Sequence, residues 1–160
     1  MSATTWVINA SPLILLGKLG RTDLLDGLAQ RILVPDAVFR EVAAGVDDAG
    51  AHASLVWAQS RRVSDVVVPS SILGWDLGEG ESQVLAHCLL GGHLAVLDDG
   101  EARAAAKVHA VPLVGTLGVI LRARRAGLVP AARPLVEDLL DSGSYLAADL
   151  VRQALAKVGE

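Results

Sequence analysis

The chain has 160 residues, 52% hydrophobic and 20% charged, enough for one compact domain with a substantial core. Its formal net charge of −4 excludes a broadly basic nucleic-acid-binding surface and leaves room only for local basic patches. No apolar run approaches the roughly 18 residues of a membrane span, and the single cysteine, Cys88, excludes an internal disulfide and a cysteine zinc cluster.

Met1 to Thr5 carries neither a basic stretch nor a long apolar segment, so the expectation is a cytoplasmic protein. Thr5 to Ile8 reads as a buried first strand. Ser11-Pro12 then reads as a helix start, a hydroxyl cap with proline at the first helical position, and Leu13 to Leu19 continues as an apolar helix whose Leu13, Leu16 and Leu19 read first as core, with a dimer interface or a partner's groove as the alternatives. Arg31 to Pro35 is a second strand, after which Pro35-Asp36 opens a helix carrying Phe39, Glu41 and Val42.

Val46 to Gly50 is a polar break, Ala51 to Ser60 a helix, and Val63 to Val68 a third apolar strand or edge ending at Pro69. Gly78 and Gly80 precede a helix from about Glu81 to Leu90, stopped by Gly91-Gly92. A strand over Leu94 to Leu97, a helix behind Gly100, a strand over Val111 to Val114 and a helix from about Leu117 to Ala126 follow. Short continuous apolar strands alternating with helices predict an α/β fold with a parallel sheet covered on both faces. Leu135 to Leu140 and Leu146 to Val158 are helical with no strand between them. The reading is a single domain over 1–160 with a C-terminal helical extension over about 128–160.

Asp98-Asp99 is the most informative pair, because it ends a predicted strand where open α/β sheets place their sites. Asn9, Glu41, Glu79 and Glu81 stand at other element ends and form with it a candidate acidic pocket. Hard cations such as Mg²⁺ take oxygen ligands, and crowded carboxylates gain by recruiting one. Taken singly, each acid also fits helix capping or solvation. Gly78-Glu79-Gly80 lacks the GxGxxG and P-loop patterns, and no serine stands in a G-x-S-x-G setting. Trp6, Trp57 and Trp75 are too scattered for a base-stacking platform, and His52, His87, His93 and His109 form no close ligand pair. Arg122, Arg124 and Arg125 complement a helix C-terminus or contact phosphate.

The order of Val7-Ile8-Asn9-Ala10-Ser11-Pro12-Leu13-Ile14, Val34-Pro35, Glu41-Val42, Leu77-Gly78-Glu79-Gly80-Glu81, Leu97-Asp98-Asp99 and Val114-Gly115-Thr116-Leu117-Gly118 resembles PIN-domain proteins, in particular the VapC-like toxin ribonucleases of toxin-antitoxin systems. The resemblance implies a three-layer α/β/α fold and Mg²⁺- or Mn²⁺-dependent cleavage of RNA. Carried over by motif, Asn9 falls where the family usually has its first aspartate, with Ser11 as the nearby hydroxyl. Glu41 matches the second acid, Glu81 the third with Glu79 beside it, and Asp99 the fourth with Asp98 as its neighbour. Glu41, Glu81 and Asp99 are the implied catalytic acids; Ser11, Arg122, Arg124 and Arg125 are candidate RNA contacts. The implied partners are RNA and an antitoxin protein, with no membrane. A homodimer would assemble a basic track from Arg61, Arg62, Arg122, Arg124 and Arg125. Because Asn9 brings no charge, a catalytically weakened PIN-like RNA-binding or regulatory module is the second reading. A receiver-like or nucleotide-binding α/β protein is the third.

Overall fold

Trp6, Val7 and Ile8 are consecutive and apolar with no polar residue between them, as a strand covered on both faces requires. In the computed structural model, which describes residues 4–45 and 49–160, they lie in β1 (Thr5–Ile8) at the centre of a five-stranded parallel sheet. The chain continues through α1 (Ala10–Lys18), α2 (Asp23–Leu28), β2 (Arg31–Pro35), α3 (Asp36–Ala44), α4 (Ala49–Ala58), a 3-10 turn at Gln59–Arg61 and β3 (Arg62–Val63). Then come α5 (Ser70–Leu73), α6 (Glu79–Gly91), β4 (Leu94–Val96), α7 (Gly100–Val108), β5 (Leu113–Val114), α8 (Thr116–Arg125), α9 (Arg133–Asp141) and α10 (Ala148–Ala156).

The strand order is β3-β2-β1-β4-β5. The chain steps outward from β1 to β2 to β3, then returns to the other side of β1 for β4 and β5. Right-handed crossovers in opposite directions send their helices to opposite faces, which makes the three layers. The order reverses between β1 and β4, where Val7 pairs with Ala95 and Ile8 with Val96. Asn9 N donates to Val96 O across this seam at 3.1 Å. In such sheets the crevice for a ligand opens above the carboxyl ends at the reversal.

The main core gathers Ile8, Leu13, Leu16, Leu85 and Leu97, all with no exposed surface, and burying each contributes about 1.5–3 kcal/mol. Leu19 packs against it while partly buried. A second apolar cluster joins Ile120 and Leu121 of α8 to Val136 and Leu139 of α9 and Leu155 of α10. The two last helices thus lie against α8, and no described helix is long and apolar enough to cross a membrane.

Several expectations are corrected. Asn9, not Ser11, is the N-cap: its backbone is extended (φ −87°, ψ 168°) and the helix begins at Ala10, leaving Ser11 and Pro12 in the first turn. Proline costs nothing there, since first-turn N–H groups have no helical partner. The strand read over Val63 to Val68 ends at Val63. Beyond it, side chains replace a neighbouring strand: Gln83 Oε1 accepts from Val66 N at 2.9 Å and Gln83 Nε2 donates to Val66 O at 2.7 Å. His87 Nε2 lies 3.1 Å from Ser64 O, which accounts for its burial. The strands read to Leu97 and from Val111 are shorter, Leu94–Val96 and Leu113–Val114. The short helices α2 and α5 were not anticipated. Of the polar break at Val46 to Gly50, residues 46–48 lie outside the described residues, and Ala49 and Gly50 already belong to α4.

Candidate functional site

Asn9 ends β1 and caps α1 with its backbone alone. An asparagine in this position ordinarily turns its side-chain oxygen onto an N–H of the first helical turn; here it makes no such bond. Its Nδ2 donates instead to Glu81 Oε1 at 3.3 Å. Its Oδ1 is buried with no hydrogen-bond partner, in a residue only 2% exposed. An unsatisfied buried acceptor costs about 1–3 kcal/mol.

That oxygen faces α3 and α6. A Cβ on Gly80 would stand 3.2 Å from Asn9 Oδ1 and 3.2 Å from Glu41 Oε1, so both oxygens crowd one point on the α6 backbone. Glu41 reaches it from α3, the helix that follows β2. Its carboxyl is held above the ordinary range, first by loss of solvent around it and then by the neighbouring Glu81 carboxylate, although the residue as a whole remains exposed. Glu81 folds back so that Oε2 fills the space a side chain at Gly78 would need. Glu79 does not join them. Residues two apart on a helix face away from each other, and Glu79 is 74% exposed in an ion pair with Arg40 at 3.0 Å.

Across the β1–β4 seam, both aspartates serve helix N-termini. Asp99 caps α7, its Oδ2 accepting from Ala102 N at 2.9 Å. Asp98 reaches α8 instead: Oδ1 accepts from Thr116 N at 2.8 Å and Oδ2 from Thr116 Oγ1 at 2.6 Å. The capping of the following helix read from the sequence holds for Asp99 and leaves its Oδ1 uncommitted, whereas Asp98 serves α8 rather than the helix that follows it. No three Asp, Glu, His or Cys residues among the described ones converge into a metal-binding group. The gathering at the end of β1 is mixed, with the Asn9 amide beside Glu41 and Glu81.

A groove of about 700 Å³ opens beside Asp98, between β5, α8 and the C-terminal helices. Ser11, Arg103, Arg122 and Arg125 line it. Arg124 turns away to Glu160, 3.5 Å from Oε2. Arg61 pairs with Asp26 and stacks 4.0 Å from the Trp57 ring centroid; Arg62 pairs with Asp36 over Phe39. Cys88 is buried and its thiol is pushed up to about 12 by that burial, which makes it inert. Thr116 and Arg103 had no role in the sequence reading. Thr116 lies within a quoted motif, but its bond to Asp98 spans 18 residues and leaves no local signal.

The family comparison agrees with this architecture. The DUF3368 family model, a PIN domain, matches residues 5–160. No curated protein matches the chain. PIN domains have a nuclease-type fold, and a match over nearly the whole length establishes membership: the chain belongs to the PIN-domain family.

Proposed function

We propose that this protein is a metal-dependent endoribonuclease that uses Asn9, Glu41, Glu81 and Asp99 at the carboxyl edge of β1 and β4. The observation that carries the reading is the buried, unpartnered Oδ1 of Asn9 facing Glu41 Oε1 over Gly80. An orphan acceptor beside two glutamates fits a hard cation, which takes oxygen donors, neutral amides included. When bound, Mg²⁺ or Mn²⁺ supplies Lewis acidity and positive charge for phosphodiester hydrolysis. Asn9, Glu41 and Glu81 would hold it, with Asp99 opposing them across the seam. Asp98, clamped by Thr116, positions that strand end rather than donating. Glu79, engaged by Arg40, stays outside the set.

The finer reading, a VapC-like toxin that pairs with an antitoxin, is supported by the order of the motifs from Val7 to Gly118. The apolar stretches of the groove, Leu117 and Leu150 among them, offer such a partner a surface. A weakened RNA-binding module is favoured by one observation: the Asn9 amide donates to Glu81 and so spends part of that carboxylate.

The deciding experiment is cleavage of a mixed pool of labelled RNAs by purified protein with Mg²⁺ or Mn²⁺, a chelator control and Asp99→Asn alongside. Asparagine caps a helix as well as aspartate does, so Asp99→Asn keeps the fold. Metal-dependent cuts that this variant loses establish the nuclease. Binding without cutting, from folded protein, establishes the weakened module.

A further inference from the structure

Arg103 is a cation that the acidic site leaves unexplained. It stands one turn into α7, close to the positive end of the helix dipole, where a carboxylate is favoured and a cation is not. Its side chain runs back toward the helix start, as helical side chains do, and Nη1 donates to Leu97 O at 2.8 Å. Leu97 immediately precedes Asp98 and Asp99, so the guanidinium is fixed across the end of β4. Gly115 completes the setting. A Cβ there would stand 3.0 Å from Arg103 Nη1 and 2.9 Å from Asp98 Oδ1, so a side chain at this turn would have to displace one or both groups.

Asp98 stands near Arg103 without closing an ion pair on it, so it offsets the guanidinium's charge only in part. Both its oxygens are taken by Thr116, and no ion pair to Arg103 occurs among the described residues. A half-buried guanidinium is thus held at one nitrogen, on a residue that lines a groove with Ser11, Arg122 and Arg125. Its planar fork matches the paired oxygens of a phosphate.

We propose that Arg103 is the phosphate anchor of this site: with one nitrogen on Leu97 O, it takes a non-bridging oxygen of a phosphodiester lying in the groove beside Asp98 and Asp99. The assignment rests on the nuclease reading above, and it supplies the local positive charge that an acidic protein lacks overall.

The test is the affinity for a fluorescently labelled single-stranded RNA, by anisotropy in metal-free, chelator-containing buffer over a salt series. Wild type, Arg103→Gln and Arg103→Lys are compared, with thermal melts and metal-dependent cleavage on the same preparations. Arg103→Gln is expected to bind about tenfold more weakly, and the slope of log affinity against log salt is expected to fall by about 0.7, one phosphate contact on a single strand. A merely structural role would leave that slope unchanged, and weaker binding at an unchanged slope overturns the anchor. So does unchanged affinity in a variant of a wild type that cleaves RNA, while the nuclease reading then stands. A folded wild type that neither binds nor cleaves RNA removes both. If Arg103→Gln fails to fold, Arg103→Lys decides, because an ammonium cannot hold Leu97 O and a phosphate as a fork does. It should bind about fivefold or more weakly, and wild-type affinity overturns the proposal.

Discussion

The backbone of Gly80 and the side chain of Asn9 are in such close approach that a single methyl on Gly80 would stand 3.2 Å from Asn9 Oδ1. Gly80→Ala therefore sets two effects against each other. Alanine in a helix is favoured over glycine by about 1 kcal/mol, while the new methyl pushes Asn9 Oδ1 and Glu41 Oε1 apart by a few tenths of an ångström. The expected outcome is a melting temperature within about 3 °C of wild type and a cleavage rate lowered about tenfold or more. Unchanged cleavage would place the point where Asn9 and Glu41 approach Gly80 outside the site.

Glu41→Gln should separate stability from activity. The Glu41 carboxyl is raised by desolvation first and by Glu81 second. A raised pKa in the folded state means that ionisation opposes folding at neutral pH. Glutamine removes that opposition, so the melting temperature should rise, while cleavage falls by about a thousandfold with the loss of a ligand worth several kcal/mol. Thermal denaturation and single-turnover cleavage read the two; a fall in melting temperature would contradict the electrostatic account.

Asn9→Asp replaces a donor to Glu81 with a third negative charge. Without metal, the variant should melt below wild type because like charges crowd one pocket. With Mg²⁺ or Mn²⁺ at about a hundredfold excess over its Kd, the linkage adds about 2.7 kcal/mol, roughly 5 to 10 °C. A metal-dependent shift no larger than that of wild type would place Asn9 outside the cation site.

Far from these acids, Glu160 closes the C-terminal helices onto the domain. Its Oε2 accepts from Ala132 N at 2.7 Å and its Oε1 from Arg133 N at 3.0 Å. These backbone bonds, Ala132 first, hold its carboxyl below the ordinary range, with Arg124 and Arg133 adding to the effect. A depressed pKa makes the stabilisation complete above the unfolded value of about 4.3 and lost as pH falls through the folded one. Glu160→Gln should lower the melting temperature near pH 7, and the difference from wild type should shrink as pH falls below the unfolded carboxyl range and through the depressed folded value. A difference that does not change with pH would show that the carboxylate charge is not what holds the clip.

Continuous apolar strands made β1, β2 and β4 legible, because a strand buried on both faces leaves no polar alternation to confuse the pattern. The edge was misread for the same reason: Val66, Val67 and Val68 look like a strand, and only the fold brings Gln83 to their backbone. At the site, the residues flanking the β1–β4 seam could be named from their positions after strands. The choice of Glu81 over Glu79 came from the resemblance alone and not from spacing, since the rotation of α6 is set by packing against β1, β2 and β4. Asn9 and Glu81 meet across 72 residues, and neither segment carries a mark of the other. Arg103 looked like an ordinary helix residue until its bond to Leu97 was visible.

Gln83 presents its amide to Val66 as though it were one residue of an adjoining strand, accepting from the N–H and donating to the carbonyl. The exposed margin of a sheet is where another polypeptide can add itself and seed aggregation. With Val66 already occupied on both groups, and β3 only two residues long, that margin offers an intruding chain almost no ladder to extend. The same helix that brings Glu81 to the pocket thus leaves the β3 edge little open backbone.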